Sequence, residues 1–375
     1  MSLIVDGTTG VTFNDSSLQG AAASPFGLKN RIINGDMVID QRNAGAEITA
    51  VNNTYCLDRW NTNTSTGGVY RVQQNAGSVT PPANFRNYLG VTVISAVSVS
   101  GFDSFTLNQR IEGFNVADLG WGTASAATIT LSFWVRSSLT GTFGGAVSNG
   151  AVDRSYPFTY TISSANTWEY KTVTIPGDTT GTWLTTNGNG LWLWLGLGMG
   201  TVYSGTAGAW AASGFRSATG AVSVVGTNGA TFYITGVQLE RNTTATPFEW
   251  LPYSTELALC QRYYYVVRNN VAGVEYNVVI VGAFNTTRAF GTFVVPVPLR
   301  ANPTFTFNSI ALRSPDTNVT ANVTNIYPVQ TVTVVPYPAS IPFEVNVASG
   351  IVSNVYYGIA FQASTNDFLA VSAEL

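Results

Sequence analysis

Apolar and polar residues alternate with a period of two in many short runs of this chain. Residues 88–97, 128–135, 156–162, 168–175 and 230–239 all show it, and Gly, Asn, Asp or Pro punctuate the stretches between them. Successive side chains of a strand point to opposite faces, so this alternation predicts antiparallel strands joined by turns. A second set is predicted over 278–284, 288–295, 304–312, 329–335 and 356–361, with a last strand-like piece at 368–375. Pro296, Pro298 and Pro303 then fall at strand ends or edges, because a proline inside a sheet removes a ladder hydrogen bond. A helical period survives only where Leu257, Ala258, Cys260, Gln261 and Tyr264 follow Ser254 and Thr255, either of which can cap a short helix.

The pattern predicts an all-β chain. Residues 30–254 are expected to form a jelly-roll β-sandwich, since short strands at this spacing must bury their apolar faces against a second sheet. Residues 255–375 are expected to form a second, smaller β-sandwich, with the helix as the joint between the two. Residues 1–29 hold two strand-like pieces around Asp6-Gly7, a strong turn signal; they make an arm too small to bury a core of its own.

Within 191–199 the run LWLWLGLGM places Trp192 and Trp194 on one face and Leu191, Leu193, Leu195 and Leu197 on the other. The leucine face is core. The tryptophan face is either a platform on which sugar rings stack or a surface buried against another element, as stretches apolar on both faces usually are. Trp183, Trp210 and Tyr203 lie in expected loops beside Gly and Thr, where binding residues concentrate. Trp60, Trp121 and Trp134 are expected in the core or in strand packing.

Composition narrows the function. Charged residues are 10% of the chain, against about 25% in an average soluble protein, so the surface is mostly neutral and polar. The 20 acidic and 17 basic residues nearly balance and no Lys/Arg run occurs, which argues against nucleic acid as a partner. The 191–199 run is too short to span a bilayer, and no secretory signal pattern opens the chain. Histidine is absent. Ser-His and Cys-His nucleophilic machinery and the common zinc sites are thereby removed. A glycosidase would need only two facing carboxylates, but Asp103, Glu112, Asp118, Asp153, Glu169 and Asp178 are scattered singly, so no catalysis and no cofactor are expected. Cys56 and Cys260 show no metal or redox spacing; two buried free thiols are expected, and a bridge between them stays open.

Three blocks carry a resemblance. They are NRIINGDMVIDQRN with YCLDRW (30–60), QRIEGFNVADLGWG with TLSFWVRSS (109–138), and TFYITGVQLERNTTATPFEWLPYSTELALCQRYYY (231–265), with TRAFGTFVVPVPLRANPTF and FLAVSAEL continuing it more loosely. Together they resemble the carbohydrate-binding-module-like jelly roll of phage tail fibre and virion surface proteins. Where that pattern has a charged pair after TPFE, this chain has Trp250 and Leu251, a change expected to alter a surface or interface. The resemblance implies a virion protein, either a tail fibre or adhesin that binds host surface glycans, or a capsid decoration or head fibre protein; a glycan depolymerase is the enzymatic alternative. It also implies a homotrimer with other virion proteins as partners, assembly in the host cytoplasm, and an attachment role for residues 1–29. Glycan contacts would fall to Trp183, Trp192, Trp194, Tyr203 and Trp210, and a structural calcium would lie at Asp36 and Glu240.

Overall fold

The computed structural model describes residues 28–269, 277–314, 320–329, 339–362 and 364–375, together with the backbone of three short strands at 4–6, 10–12 and 18–19. Those three strands form a small antiparallel sheet, Ile4–Asp6 pairing with Gly10–Thr12. Gly7 of the expected turn lies outside the described residues.

Two six-stranded sheets build the first unit. The front sheet runs Glu169–Ile175, Ile129–Ser137, Thr231–Glu240, Leu89–Val93, Tyr70–Gln74 and Ile48–Thr49. The back sheet runs Ser155–Ile162, Gly141–Asn149, Asn189–Met199, Ser104–Glu112, Trp60–Thr64 and Thr54–Leu57. Pairing is antiparallel throughout both, and the chain crosses repeatedly from one sheet to the other, which makes the sandwich a jelly roll. The alternation explains the core: Leu131, Phe133 and Val135 face Leu191, Leu193, Leu195 and Leu197 in a single buried cluster. Trp192 and Trp194 accordingly point away from it.

The second unit packs a three-stranded sheet, Tyr264–Arg268, Phe368–Ser372 and Thr304–Asn308, against a larger sheet that closes on itself. That barrel runs Asn277–Ala283, Arg288–Val294, Ser340–Val347, Thr320–Pro328, Ile310–Arg313 and Tyr356–Phe361. The expected strand 304–312 is in fact two. Ser309 adopts φ 53°, a left-handed conformation that ends extended pairing, and the chain leaves the small sheet there to enter the barrel. The expected strand 329–335 lies outside the described residues beyond Val329, and its described neighbour is Thr320–Pro328.

The joint is the helix Tyr253–Gln261. Neither Ser254 nor Thr255 caps it. Pro252 takes the N-cap position and its carbonyl accepts from the amides of Thr255 and Glu256, so the helix starts two or three residues earlier than its side-chain chemistry suggests. Cys260 and Tyr263 pack with Ile33 and Ile39 in a small junction cluster that Leu257 and Leu375 flank. Both cysteines are free and buried, Cys56 in the sandwich core and Cys260 at the joint.

Ion pairs complete the junction. Arg59, fully buried, pairs with Glu374, and its guanidinium lies 3.6 Å over the Tyr263 ring. Arg42 reaches the same carboxylate at 2.6 Å. In the other direction Arg262 forks onto Glu112 at 2.6 and 3.0 Å, and the Tyr263 hydroxyl donates to Glu112 at 2.7 Å. Arg300 donates to the carbonyls of Asn187, Ala373 and Glu374. Asp58 and Arg59 are thus split between two tasks: Asp58 accepts both the amide and the side-chain NH2 of Gln41 at 2.7 Å.

Two expectations follow. Arg59→Ala leaves Glu374 buried with half its partners gone and should cost about 3–5 kcal/mol, read as a lower urea midpoint at unchanged slope. The second concerns pH. Burial pushes the carboxyls of Asp58 and Glu256 each up to about 7. A carboxyl whose folded pKa is raised keeps its proton when the unfolded chain has lost it, so stability falls as pH rises from the ordinary carboxylate range towards 7 and then levels. Glu256→Gln should flatten the difference in melting temperature between pH 5 and pH 8.

Candidate functional site

The outer face of the front sheet carries an open aromatic groove. Trp134 and Tyr170 are direct cross-strand partners, their rings 5.4 Å apart. Beside them the pairing with 231–240 slips between Ser132 and Trp134, and Gly236 sits in the bulge at φ 60°. A Cβ at Gly236 would lie 2.6 Å from the Phe85 ring and 3.2 Å from Trp134; its absence lets Phe85 lean onto the sheet. Phe85 in turn contacts Trp250 at 4.7 Å and Phe248 at 5.3 Å, and Phe248 contacts Trp250 at 4.9 Å. The resulting groove encloses about 740 Å³. Its polar lining is Asn84, Ser132 and Thr246, with no charged side chain.

The groove wall is held firmly. Glu240 accepts from the Thr246 amide at 2.8 Å, the Thr246 hydroxyl at 2.7 Å and the Gln238 side chain at 2.9 Å. Gln238 accepts from the Glu249 amide, and Lys29 donates to Thr246 and to the Pro247 carbonyl. Glu240, one half of the expected calcium pair, is therefore spent on stitching the 241–250 loop to the sheet. Asp36, the other half, is partly buried, and burial raises its carboxyl above the ordinary range. Among the described residues no group of three or more His, Cys, Asp or Glu is placed to hold a metal. The residues present do not fit calcium, which requires six to eight oxygens.

The back sheet treats its aromatics differently. Trp192 and Trp194 stack in parallel at 4.2 Å. Arg110 covers the other face of Trp192 at 4.2 Å, while Arg216 lies 5.1 Å from Trp194 and 4.4 Å from Tyr203. The indole NH of Trp194 donates to the Ser148 hydroxyl at 2.9 Å. A column results in which Arg110 and Arg216 flank the stacked indole pair, stabilised by stacking and cation–π attraction, and both flat faces of Trp192 are occupied. Gly144 and Gly196 make room for it: a Cβ at either would collide with Ser217 of the loop that crosses the sheet here.

Trp183 and Trp210 meet Trp121 at the end of the sandwich, the three rings packed edge to face at 4.6 to 5.6 Å. Each indole NH is satisfied by a backbone carbonyl, of Thr180, Pro176 and Ala127 respectively for Trp183, Trp210 and Trp121. Both Trp183 and Trp210 are half-buried against the core. The singly scattered carboxylates are also engaged: Asp118 with Arg31, Asp178 with Arg154, Glu169 with Lys171, Glu112 with Arg262.

The groove residues Phe85, Trp134, Tyr170, Phe248 and Trp250 did not emerge as a site from the sequence. Two signals were present. The alternation that sends Phe133 inward sends Trp134 outward, and Trp250 stands in a position where the resembled pattern is charged. Trp134 is a groove-lining residue that packs across strands on Tyr170, as the strand-packing expectation has it, while Trp60 is fully buried and Trp121 nearly so.

No family model matches the chain, and no curated protein matches it. Solved structures of carbohydrate-binding modules are similar in part. A candidate sugar-binding protein from Bacteroides thetaiotaomicron aligns at 13% identity and TM-score 0.33, covering 57% of this chain and 100% of that one. The family 11 carbohydrate-binding module from Clostridium thermocellum, in complex with a β-1,3-1,4-mixed-linked tetrasaccharide, aligns at 10% identity and TM-score 0.26, covering 53% and 98%. TmCBM61 in complex with β-1,4-galactotriose aligns at 11% identity and TM-score 0.27, covering 49% and 88%. The jelly roll of the present chain rests on its own strand pairing and not on these likenesses.

Proposed function

We propose that this chain is a non-catalytic glycan-binding protein of a phage virion, a tail fibre or related adhesin, and that the front-sheet groove is its binding site. The observation that carries the glycan reading is the uncharged groove walled by Phe85, Trp134, Tyr170, Phe248 and Trp250. Sugar rings offer flat C–H faces to aromatic side chains and hydroxyls to amides and alcohols, and the groove supplies both. Its rings are held at several inclinations, Trp134 and Tyr170 at 49° and Phe85 and Trp250 at 42°, which favours a curved or branched ligand over a flat crystalline one. The lack of charge in the lining favours a neutral sugar.

The virion reading is supported by the resemblance of residues 30–60, 109–138 and 231–265, and by the uncharged polar surface. Each site would bind weakly; several copies on one particle would raise the effective concentration of the second and later contacts. The Trp192–Trp194 column plays no part in this proposal because its ring faces are covered.

A glycan array followed by calorimetry tests the site. Trp134→Ala and Trp250→Ala should each weaken binding of a neutral oligosaccharide roughly 10-fold or more, and Trp183→Ala should leave it unchanged. Affinity should vary little across about 0.05 to 0.5 M salt, since no ion pair is made. Binding that survives loss of both groove tryptophans would move the site elsewhere. Gold-tagged antibodies against residues 255–375 test the station on the particle: gold at fibre tips supports the adhesin, and gold over the head favours a decoration protein.

A further inference from the structure

The nine tryptophans of the chain divide by what their indole N–H groups do. Trp60, Trp121, Trp168, Trp183 and Trp210 donate to backbone carbonyls, Trp194 donates to the Ser148 hydroxyl, and Trp192 donates to the Asn189 side chain. Trp134 and Trp250 donate to none of the described residues, and both line the front-sheet groove. An indole nitrogen can only donate. Elsewhere the fold gives each such donor a partner, so two unspent donors in one hollow mark a ligand that brings acceptors.

The other polar side chains of the groove point the same way. The Thr246 hydroxyl is spent, donating to Glu240 and accepting from Lys29. The Asn84 amide and the hydroxyls of Ser132 and Tyr170 bond to none of the described residues. Ser132 is only 2% exposed. Trp134 turns the Cδ1 carbon beside its nitrogen towards the bulge, where a Cβ at Gly236 would lie 3.2 Å away. All five of these residues donate, but only Asn84, Ser132 and Tyr170 also accept. The rest of the lining is apolar: Ala83, Ala245, Pro247 and the ring faces. Free side-chain donors therefore exceed acceptors, and they are set in an apolar wall.

We propose that the groove reads a neutral sugar that is O-acetylated, which narrows the ligand class of the glycan site and rests on that site being the groove. Every free hydroxyl of a sugar brings a proton that needs an acceptor of its own. This wall supplies acceptors sparingly, and polar groups buried unpaired are costly. An O-acetyl ester replaces the O–H by a carbonyl, which accepts and never donates, and it adds a methyl group to cover apolar wall. It also leaves the sugar neutral, in keeping with a lining that carries no charge. An N-acetyl group keeps an N–H and gains less.

The test is an array of neutral O-acetylated polysaccharides, acetylated glucomannan among them, each printed before and after mild alkali, which cleaves the ester and leaves the glycosidic chain. The acetylated form of at least one should bind the full chain roughly 10-fold or more tighter than its alkali-treated twin. Trp134→Phe combined with Trp250→Phe keeps both rings and removes both N–H groups, and should shrink that ratio to about 3-fold or less. A ratio of two affinities is not moved by a general weakening of the groove. In the wild type, the indole N–H resonances of Trp134 and Trp250 should shift on adding acetylated glucomannan oligosaccharide, ahead of those of the other tryptophans. Neutral glycans bound equally before and after alkali overturn the O-acetyl assignment and leave the glycan groove standing. A preference that survives in the double variant overturns the reading by the indoles. Failure of every neutral glycan to bind overturns the groove and this inference together.

Discussion

Everything in the relative placement of the two units depends on removing one guanidinium from water. Arg59 follows the strand Thr54–Leu57 and lies wholly inside the protein, so it needs a carboxylate and a stacking partner at once; Glu374 and Tyr263 supply them from the second unit. Burial disfavours its charge, and Glu374 outweighs that penalty, holding the group above its ordinary pKa. A buried pair of this kind adds little net stability compared with a well-packed apolar substitute, but it tolerates no misplacement, since a shifted unit would strand a charge. The reciprocal pair, Glu112 of the first unit with Arg262 and Tyr263 of the second, imposes the same condition in the opposite sense. Two crossed pairs fix an orientation where one would leave a hinge.

This junction accounts for the sequence blocks that stand out in the chain. NRIINGDMVIDQRN, YCLDRW, QRIEG, ELALCQRYYY and FLAVSAEL are distant in sequence, yet each supplies junction residues: Asn34 and Gln41, Asp58 and Arg59, Glu112, Glu256 to Tyr264, and Glu374. Asn34 is the hub. Its side chain bonds the backbones of Ile39 and Asp58 and its carbonyl accepts the indole NH of Trp60. These pieces describe how two β-units are joined, while TLSFWVRSS and the first part of the 231–265 block supply groove residues, among them Ser132, Trp134, Gly236, Phe248 and Trp250.

The two faces of the jelly roll put similar residues to opposite uses. Behind the back sheet, arginines interleave with Trp192, Trp194 and Tyr203 and consume their ring faces. In front, a bulge at Gly236 and a stitched loop at 241–250 gather five aromatic side chains along the walls of the groove. The two faces differ in whether a guanidinium lies over the rings. Arg110 and Arg216 do so on one side, and the groove lining contains no cation.

The sequence by itself marked many of the strands, the alternation of faces within them and the region of the helical joint, because period two and turn chemistry are local properties that the backbone reads directly. Leu191 to Leu197 inward and Trp192 and Trp194 outward followed from alternation alone. Burial of both thiols was expected from the lack of any metal or redox spacing, while the open question of a Cys56–Cys260 bridge was answered by the fold, in which both are free. Tertiary structure decided what local pattern cannot carry. The break at Ser309 needs a left-handed residue that no propensity marks in serine. Closure of the barrel depends on which distant strands meet, and the identity of the groove depends on Phe85, Trp134, Tyr170 and Trp250 arriving from four separate segments. Whether an outward tryptophan is open or covered is settled by elements distant in the chain, such as Arg110 and Arg216 on either side of the Trp192–Trp194 pair in the fold, and pairing at that range is written in packing and charge rather than in periodicity.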